Sequence, residues 1–140
     1  MFVDTNILVY ATQATSPNRD AARDGLRRFS ASEGRLCLSR QILREYLSVV
    51  TRPQLFLNPV SMAEALADVA GFQSDFELLE DGPEVGRRLM ELCQLVPIAG
   101  RQVHDANIVA TMLAHGEDRL LTMNRGDFRR FAPRIEVVEP

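Results

Sequence analysis

Short apolar runs alternate along this chain with segments in which apolar residues return every three or four positions, the spacing of one helical face. The runs at 1–4, 35–38 ("RLCL"), 76–80 ("FELLE"), 119–122 ("RLLT") and 135–138 ("IEVV") predict strands. The periodic segments 7–13, 18–32, 40–51, 61–72, 84–95 and 103–115 predict helices. Several ends carry their own chemistry. Ser61 with Glu64 has the form of a capping box, Ser39 can cap the helix after "LCL", and Gly116 ends "ATMLAHG". Pro53 stops the segment ending "SVVTR", because it cannot continue a helix.

Strands separated by helices imply right-handed crossovers and a mainly parallel sheet covered on both faces. The fold class is therefore α/β, a three-layer α/β/α sandwich, with residues 1–140 forming one domain. The stretch "RPQLFLNPV" is too short to divide domains. Its Leu55, Phe56 and Leu57 suit a contact with a partner, although the core is the other place for them. In such sheets, sites form at the carboxyl ends of the strands. Asp4 stands at such an end, directly behind Met1–Val3, where desolvating a carboxylate is costly unless something neutralises it. The local alternative is that Asp4 or Asn6 caps the helix that follows.

Three further acids raise the same question. On a helical wheel for "VHDANIVATMLA", Asp105 falls inside the arc formed by Ile108, Val109 and Met112, with Asn107 and Thr111 on the polar side. Glu45 borders the apolar face of "QILREYLSVV", whereas Arg44 points away from it. Asp127 follows Thr122 and Asn124 in the loop after strand 119–122, a loop that can approach Asp4 if the two strands are neighbours. Each has a bland reading: an acid favourably facing a helix dipole, a solvated edge, ordinary turn chemistry. Together they come from four elements, and no local rule requires all four. Gathered in one pocket they would need a counter-charge, which hard divalent cations such as Mg²⁺ or Mn²⁺ supply through oxygen ligands. A cation-bearing acid cluster suits phosphodiester hydrolysis, with one ion generating hydroxide and another stabilising the leaving oxygen.

Composition narrows the classes. Apolar residues make up 46% and charged residues 25%, an ordinary globular mixture. No apolar run approaches the length of a membrane span, and the first residues lack a secretory signal pattern. All 16 basic residues are Arg, which rules out a P-loop lysine, a Schiff-base enzyme and a Lys-dependent phosphorelay receiver. A net charge of −3 speaks weakly against a nucleic-acid partner, but two divalent ions would reverse its sign. Cys37 and Cys93 sit singly in apolar stretches, which suits core filling in a reducing cytoplasm, and His104 and His115 form no zinc set with them.

"FVDTNILVYA", "LSRQILREYLSVVTRP" and "VHDANIVATMLAHGEDRLLTMNRGDFRRF" together resemble PIN-domain ribonucleases, specifically the VapC-type toxins of bacterial toxin–antitoxin pairs. The resemblance runs from Met1 to Pro140 and keeps four acidic stations in order. It implies a PIN fold, a Mg²⁺- or Mn²⁺-dependent endoribonuclease in the cytoplasm, a homodimer, and a cognate VapB-type antitoxin. It assigns the catalytic and metal-binding acids to Asp4, Glu45, Asp105 and Asp127. Thr5, Asn6 and Thr122 take orienting roles beside them. Some PIN domains carry an acid where this chain has Asn124, which leaves the second metal's ligands open.

On this reading a metal-activated water cleaves RNA to leave 5′-phosphate and 3′-hydroxyl ends. Arg125, Arg129 and Arg130 are placed to hold the RNA backbone, with a solvated helix as the equal alternative, while Arg23, Arg27 and Arg28 belong to a separate solvated face. The rival from another class is a non-catalytic PIN-like module that binds RNA or protein. An aspartyl-phosphate phosphatase would want a second Asp where Asn6 stands, and a Lys. DNA stays open as a substrate, since metal-assisted hydrolysis does not require a 2′-hydroxyl.

Overall fold

The computed structural model describes residues 1–53 and 59–140, so Leu55, Phe56 and Leu57 lie outside the described residues. The elements in chain order are β1 (Phe2–Val3), α1 (Thr5–Thr12), α2 (Arg19–Glu33), β2 (Cys37–Ser39), α3 (Arg40–Val50), α4 (Met62–Asp75), β3 (Glu77–Leu79), α5 (Pro83–Leu95), α6 (Gln102–Ala114), β4 (Arg119–Leu121), α7 (Arg125–Phe128) and β5 (Glu136–Val138). A single 3₁₀ turn, Arg129–Phe131, follows α7.

The five strands form one sheet in the order β3-β2-β1-β4-β5, and every pairing is parallel. The helices and this sheet make the α/β architecture that the alternating pattern predicts. β1 is central, with Phe2 opposite both Cys37 and Leu120, which explains why Phe2 and Val3 are wholly apolar and fully buried. The chain lays β2 and β3 on one side of β1 and then β4 and β5 on the other. The strand order therefore reverses at β1/β4, the place where open α/β sheets leave a crevice beyond their carboxyl ends.

The local signals hold where they are local. Ser61 accepts from the Glu64 N–H while the Glu64 carboxylate accepts from the Ser61 N–H, closing the capping box on α4. Ser39 accepts from the Ile42 N–H at 3.4 Å. Gly116 takes a φ of +73°, a left-handed conformation that a side chain would resist, and so turns the chain from α6 toward β4.

Other expectations shift. α1 begins at Thr5 rather than at residue 7, and a four-residue helix, α7, replaces part of the loop expected after residue 122. Cys37 is buried in the core, but Cys93 is exposed on α5 and fills no core space. Thr111 is buried rather than on a polar face, because α6 is enclosed on most sides and its hydroxyl donates to the Asn107 carbonyl at 2.8 Å. Arg23 donates to the Ala11 carbonyl and Arg28 to that of Glu139, so of that trio Arg27, paired with Asp24 in the open, fits a solvated face best.

Candidate active site

The ends of β1 and β4 meet at Asp4. Its N–H donates to the Leu121 carbonyl at 3.0 Å, extending the ladder one residue beyond the strand. Asp4 holds the N-cap position of α1 with extended backbone, yet its side chain makes no capping bond. Instead Oδ2 accepts from Thr122 Oγ1 and from Asn6 Nδ2, each at 2.6 Å. Asn6 also donates to Thr122 Oγ1 at 2.9 Å and accepts from the Met123 N–H at 3.1 Å, while the Asn124 N–H donates to Thr122 Oγ1 at 2.9 Å. Thr122 is fully buried and serves as the hub. Asp4 thus stands at the N-cap position without a side-chain capping bond to the N–H groups further into α1, and its Oδ2 is held instead by Thr122 and Asn6.

Asp4 is itself buried, and its carboxyl is pushed up from an ordinary 3.8 to about 6. Burial is the largest cause; the bonds from the Thr122 hydroxyl and the Thr5 N–H oppose it, and the charges of Glu45 and Asp105 add to it. Asp105, in the first turn of α6 and half-buried, is also raised to about 6. Burial again leads, followed by the charges of Asp127 and Glu45, with Arg130 and His104 pulling the other way. An acid in a helix's first turn is ordinarily favoured by the dipole. Here desolvation and neighbouring carboxylates outweigh that benefit.

All four acids line one cavity of about 890 Å³: Asp4 from the end of β1, Glu45 from α3, Asp105 from α6 and Asp127 from α7. Glu45 accepts from Thr5 Oγ1 at 2.8 Å and from Gln41 Nε2 at 2.7 Å, one bond to each oxygen. Asp127 is exposed and accepts a short bond from Asn124 Nδ2. None of the four carboxylates forms an ion pair within 4 Å among the described residues. Nor do any three carboxylate, imidazole or thiol groups there converge tightly enough to chelate one ion as placed. The donors are nonetheless all oxygens, in the chemistry that hard divalent cations select.

Arg125 and Arg129 are exposed and stand outside the cavity walls, and Arg130 donates to the Pro97 carbonyl at 3.3 Å while its charge reaches Asp105. The cationic side chains lining the cavity are Arg44, Arg52 and Arg101. Arg44 is exposed, off the apolar face of α3 as its wheel position requires, and lines the cavity. Gln41 also escaped sequence reasoning. It is buried and bonded to Glu45, to the His104 carbonyl and to Asn107. Its only sequence signal is its position one helical turn before Glu45.

The family model described as PIN domain matches residues 1–133. The chain belongs to the PIN-domain family. Among curated PIN relatives, Ribonuclease VapC48 of Mycobacterium tuberculosis (strain ATCC 25618 / H37Rv) is 33% identical over 133 residues, covering 91% of this chain and 89% of its own. Ribonuclease VapC24 of the same strain is 30% identical over 131 residues, covering 92% and 89%. The same PIN fold recurs in the DNA-bound VapBC complex from Salmonella typhimurium, with a TM-score of 0.69 at 21% identity over 99% of this chain and 96% of that one. VapC20 of Mycobacterium tuberculosis, described as a sarcin–ricin loop cleaving toxin, gives 0.63 at 18% identity over 85% of each chain. Among the described residues, no helix of this PIN domain is long and apolar enough to cross a membrane.

Proposed function

We propose that this PIN domain is a divalent-metal-dependent endoribonuclease, the toxin of a toxin–antitoxin pair acting in the cytoplasm. The observation that carries the proposal is the convergence on one cavity of four acids from four elements, two of them raised to about 6 and none ion-paired among the described residues. Such an arrangement costs the fold stability, so it calls for a counter-charge brought from outside. The likeness to curated VapC ribonucleases points the same way.

Asp4 and Asp105 would hold the principal Mg²⁺ or Mn²⁺, with Glu45 and Asp127 completing the set or serving a second ion. Once bound, a divalent ion lowers the pKa of a water molecule and offsets charge on the scissile phosphate. The remaining work falls to the chain itself. Thr122 and Asn6 keep Asp4 turned into the cavity, and Thr5 keeps Glu45 there. A carboxylate of the cluster accepts the proton of the attacking water; the new bond forms to phosphorus, the bond to the 3′-oxygen breaks, and the departing 3′-oxygen takes up a proton from solvent. The fragments then carry 5′-phosphate and 3′-hydroxyl ends. Arg44, Arg52 and Arg101 line the cavity and would meet a phosphate backbone entering it, whereas Arg125 and Arg129 are not among its lining residues.

The relatives solved as VapBC complexes support a VapB-type antitoxin as partner, and a homodimer belongs to the same reading. The decisive experiment is RNA cleavage by purified, antitoxin-free protein with Mg²⁺ or Mn²⁺, with EDTA, and with Asp4→Asn. Cleavage that requires metal and disappears in the variant is the expected result. Metal binding without cleavage of varied RNAs would favour the non-catalytic binding module instead.

A further inference from the structure

Gln41 is a buried polar side chain whose amide is committed on both sides. It lies in the first turn of α3 and is 7% exposed. Its Nε2 donates to Glu45 Oε1 at 2.7 Å and to the His104 carbonyl at 3.0 Å, and its Oε1 accepts from Asn107 Nδ2 at 2.8 Å. A carboxylate and a main-chain carbonyl accept only, so the nitrogen must face them and the orientation of the amide follows from its partners. Asn107 in turn has to present its own nitrogen.

The placement of these partners gives the amide its meaning. His104 and Asn107 bracket Asp105 on α6, and Glu45 lies one turn along α3 from Gln41. One planar group therefore ties an acid on one wall of the cavity to the helical turn that carries the acid on the facing wall. Thr5 holds the other oxygen of Glu45 from α1. With one bond to each oxygen, the Glu45 carboxylate is fixed in direction and keeps lone pairs for a cation.

We propose that Gln41 is a positioning residue that sets Glu45 against Asp105, so that the two acids engage a divalent cation together. The inference rests on the metal-dependent reading above and assigns a residue to it. A purely structural amide would tie α3 to α6 and affect stability alone. A positioning amide must also change how tightly the site takes up metal, by the 10- to 100-fold typical of groups that orient metal ligands.

The test measures Mn²⁺ binding by calorimetry to RNA-free wild-type protein and to Gln41→Met, alongside melting temperature and cleavage as a function of Mn²⁺ and RNA. Gln41→Met keeps the side chain's length and removes its hydrogen bonds. The expected result is Mn²⁺ binding weakened about tenfold or more, with the same rise in half-saturating Mn²⁺. At saturating Mn²⁺, kcat and the KM for RNA return close to wild type. A lower melting temperature with wild-type Mn²⁺ affinity would overturn the proposal. If Gln41→Met does not fold, Asn107→Ala decides: it removes one support of the Gln41 amide without touching Glu45, and unchanged Mn²⁺ affinity there overturns the proposal too. Absence of Mn²⁺ binding by the wild type would remove the metal-dependent reading itself, a result seen before any variant is compared.

Discussion

Thr122 Oγ1 donates to Asp4 Oδ2 at 2.6 Å across 118 residues of sequence, joining the carboxyl ends of β1 and β4 where the strand order reverses. The same hydroxyl oxygen accepts from Asn6 Nδ2 and from the Asn124 N–H. Thr122→Val keeps the shape and removes all three bonds, leaving two donors short of a partner at a cost of about 2 kcal/mol. It also removes the larger of the two bonds that oppose the rise in the Asp4 pKa, so the acid limb of the cleavage–pH profile should move to higher pH. Chemical denaturation and a pH–rate series check both effects. Thr122→Ser, which keeps the hydroxyl, should restore the limb.

Asp4→Asn separates activity from stability. The asparagine oxygen can accept from Thr122 and Asn6 as Oδ2 does, while the charge disappears. Cleavage should fall to background. The metal-free variant should nevertheless melt above the metal-free wild type at neutral pH, because burial and the charges of Glu45 and Asp105 penalise an ionised Asp4. A pKa of about 6 against an ordinary 3.8 corresponds to about 3 kcal/mol. A lower melting temperature for the variant, measured in EDTA, would contradict that sign.

The wild type should show the same physics against pH. Asp4 and Asp105 both bind protons more tightly folded than unfolded, so their contribution to stability is fully present below about 3.8 and is lost as pH rises through about 6. In EDTA, stability should therefore increase on acidification from pH 7.5 toward 5. Glu117 acts in the opposite sense. Burial raises its pKa, but the Met1 amino group and Arg35 outweigh burial and hold it below its ordinary 4.5, so its contribution is lost only under stronger acid. Added Mn²⁺ should stabilise most near pH 7.5 and flatten the profile. Urea denaturation across that range, with and without metal, reads both slopes.

Much of this was written locally in the chain. The capping box at Ser61, the Ser39 cap and the turn at Gly116 depend on neighbours a few residues away, and all three stand in the structure. Asp4 behind a buried strand and Asp105 inside an apolar arc stand out locally, whereas Glu45 and Asp127 gain weight only in combination with them, and the structure lines one cavity with all four. What remained hidden depends on which elements face each other. Gln41 has an unremarkable side chain until α6 brings His104 and Asn107 to it. Thr111 reads as polar until the surrounding elements enclose α6. Arg125 and Arg129 are near Asp127 in sequence, whereas the arginines that line the cavity come from α3, the residues just after it and the start of α6.

Arg44 precedes Glu45 by one residue, and Arg101 precedes Asp105 by one helical turn, so α3 and the start of α6 each bring a half-buried acid and an exposed arginine to the cavity. Neither arginine forms an ion pair among the described residues, which leaves both guanidinium groups available to phosphate. In an Asp4→Asn background that does not cut, Arg44→Ala and Arg101→Ala should each weaken binding of single-stranded RNA. Each should also reduce the slope of log affinity against log salt by about 0.7, the value for one phosphate contact on a single strand. Arg125→Ala and Arg129→Ala should leave the slope unchanged, because those side chains stand outside the cavity walls. The reverse pattern, with the slope falling only for Arg125 and Arg129, would place the RNA over α7 and remove Arg44 and Arg101 from the path of the substrate.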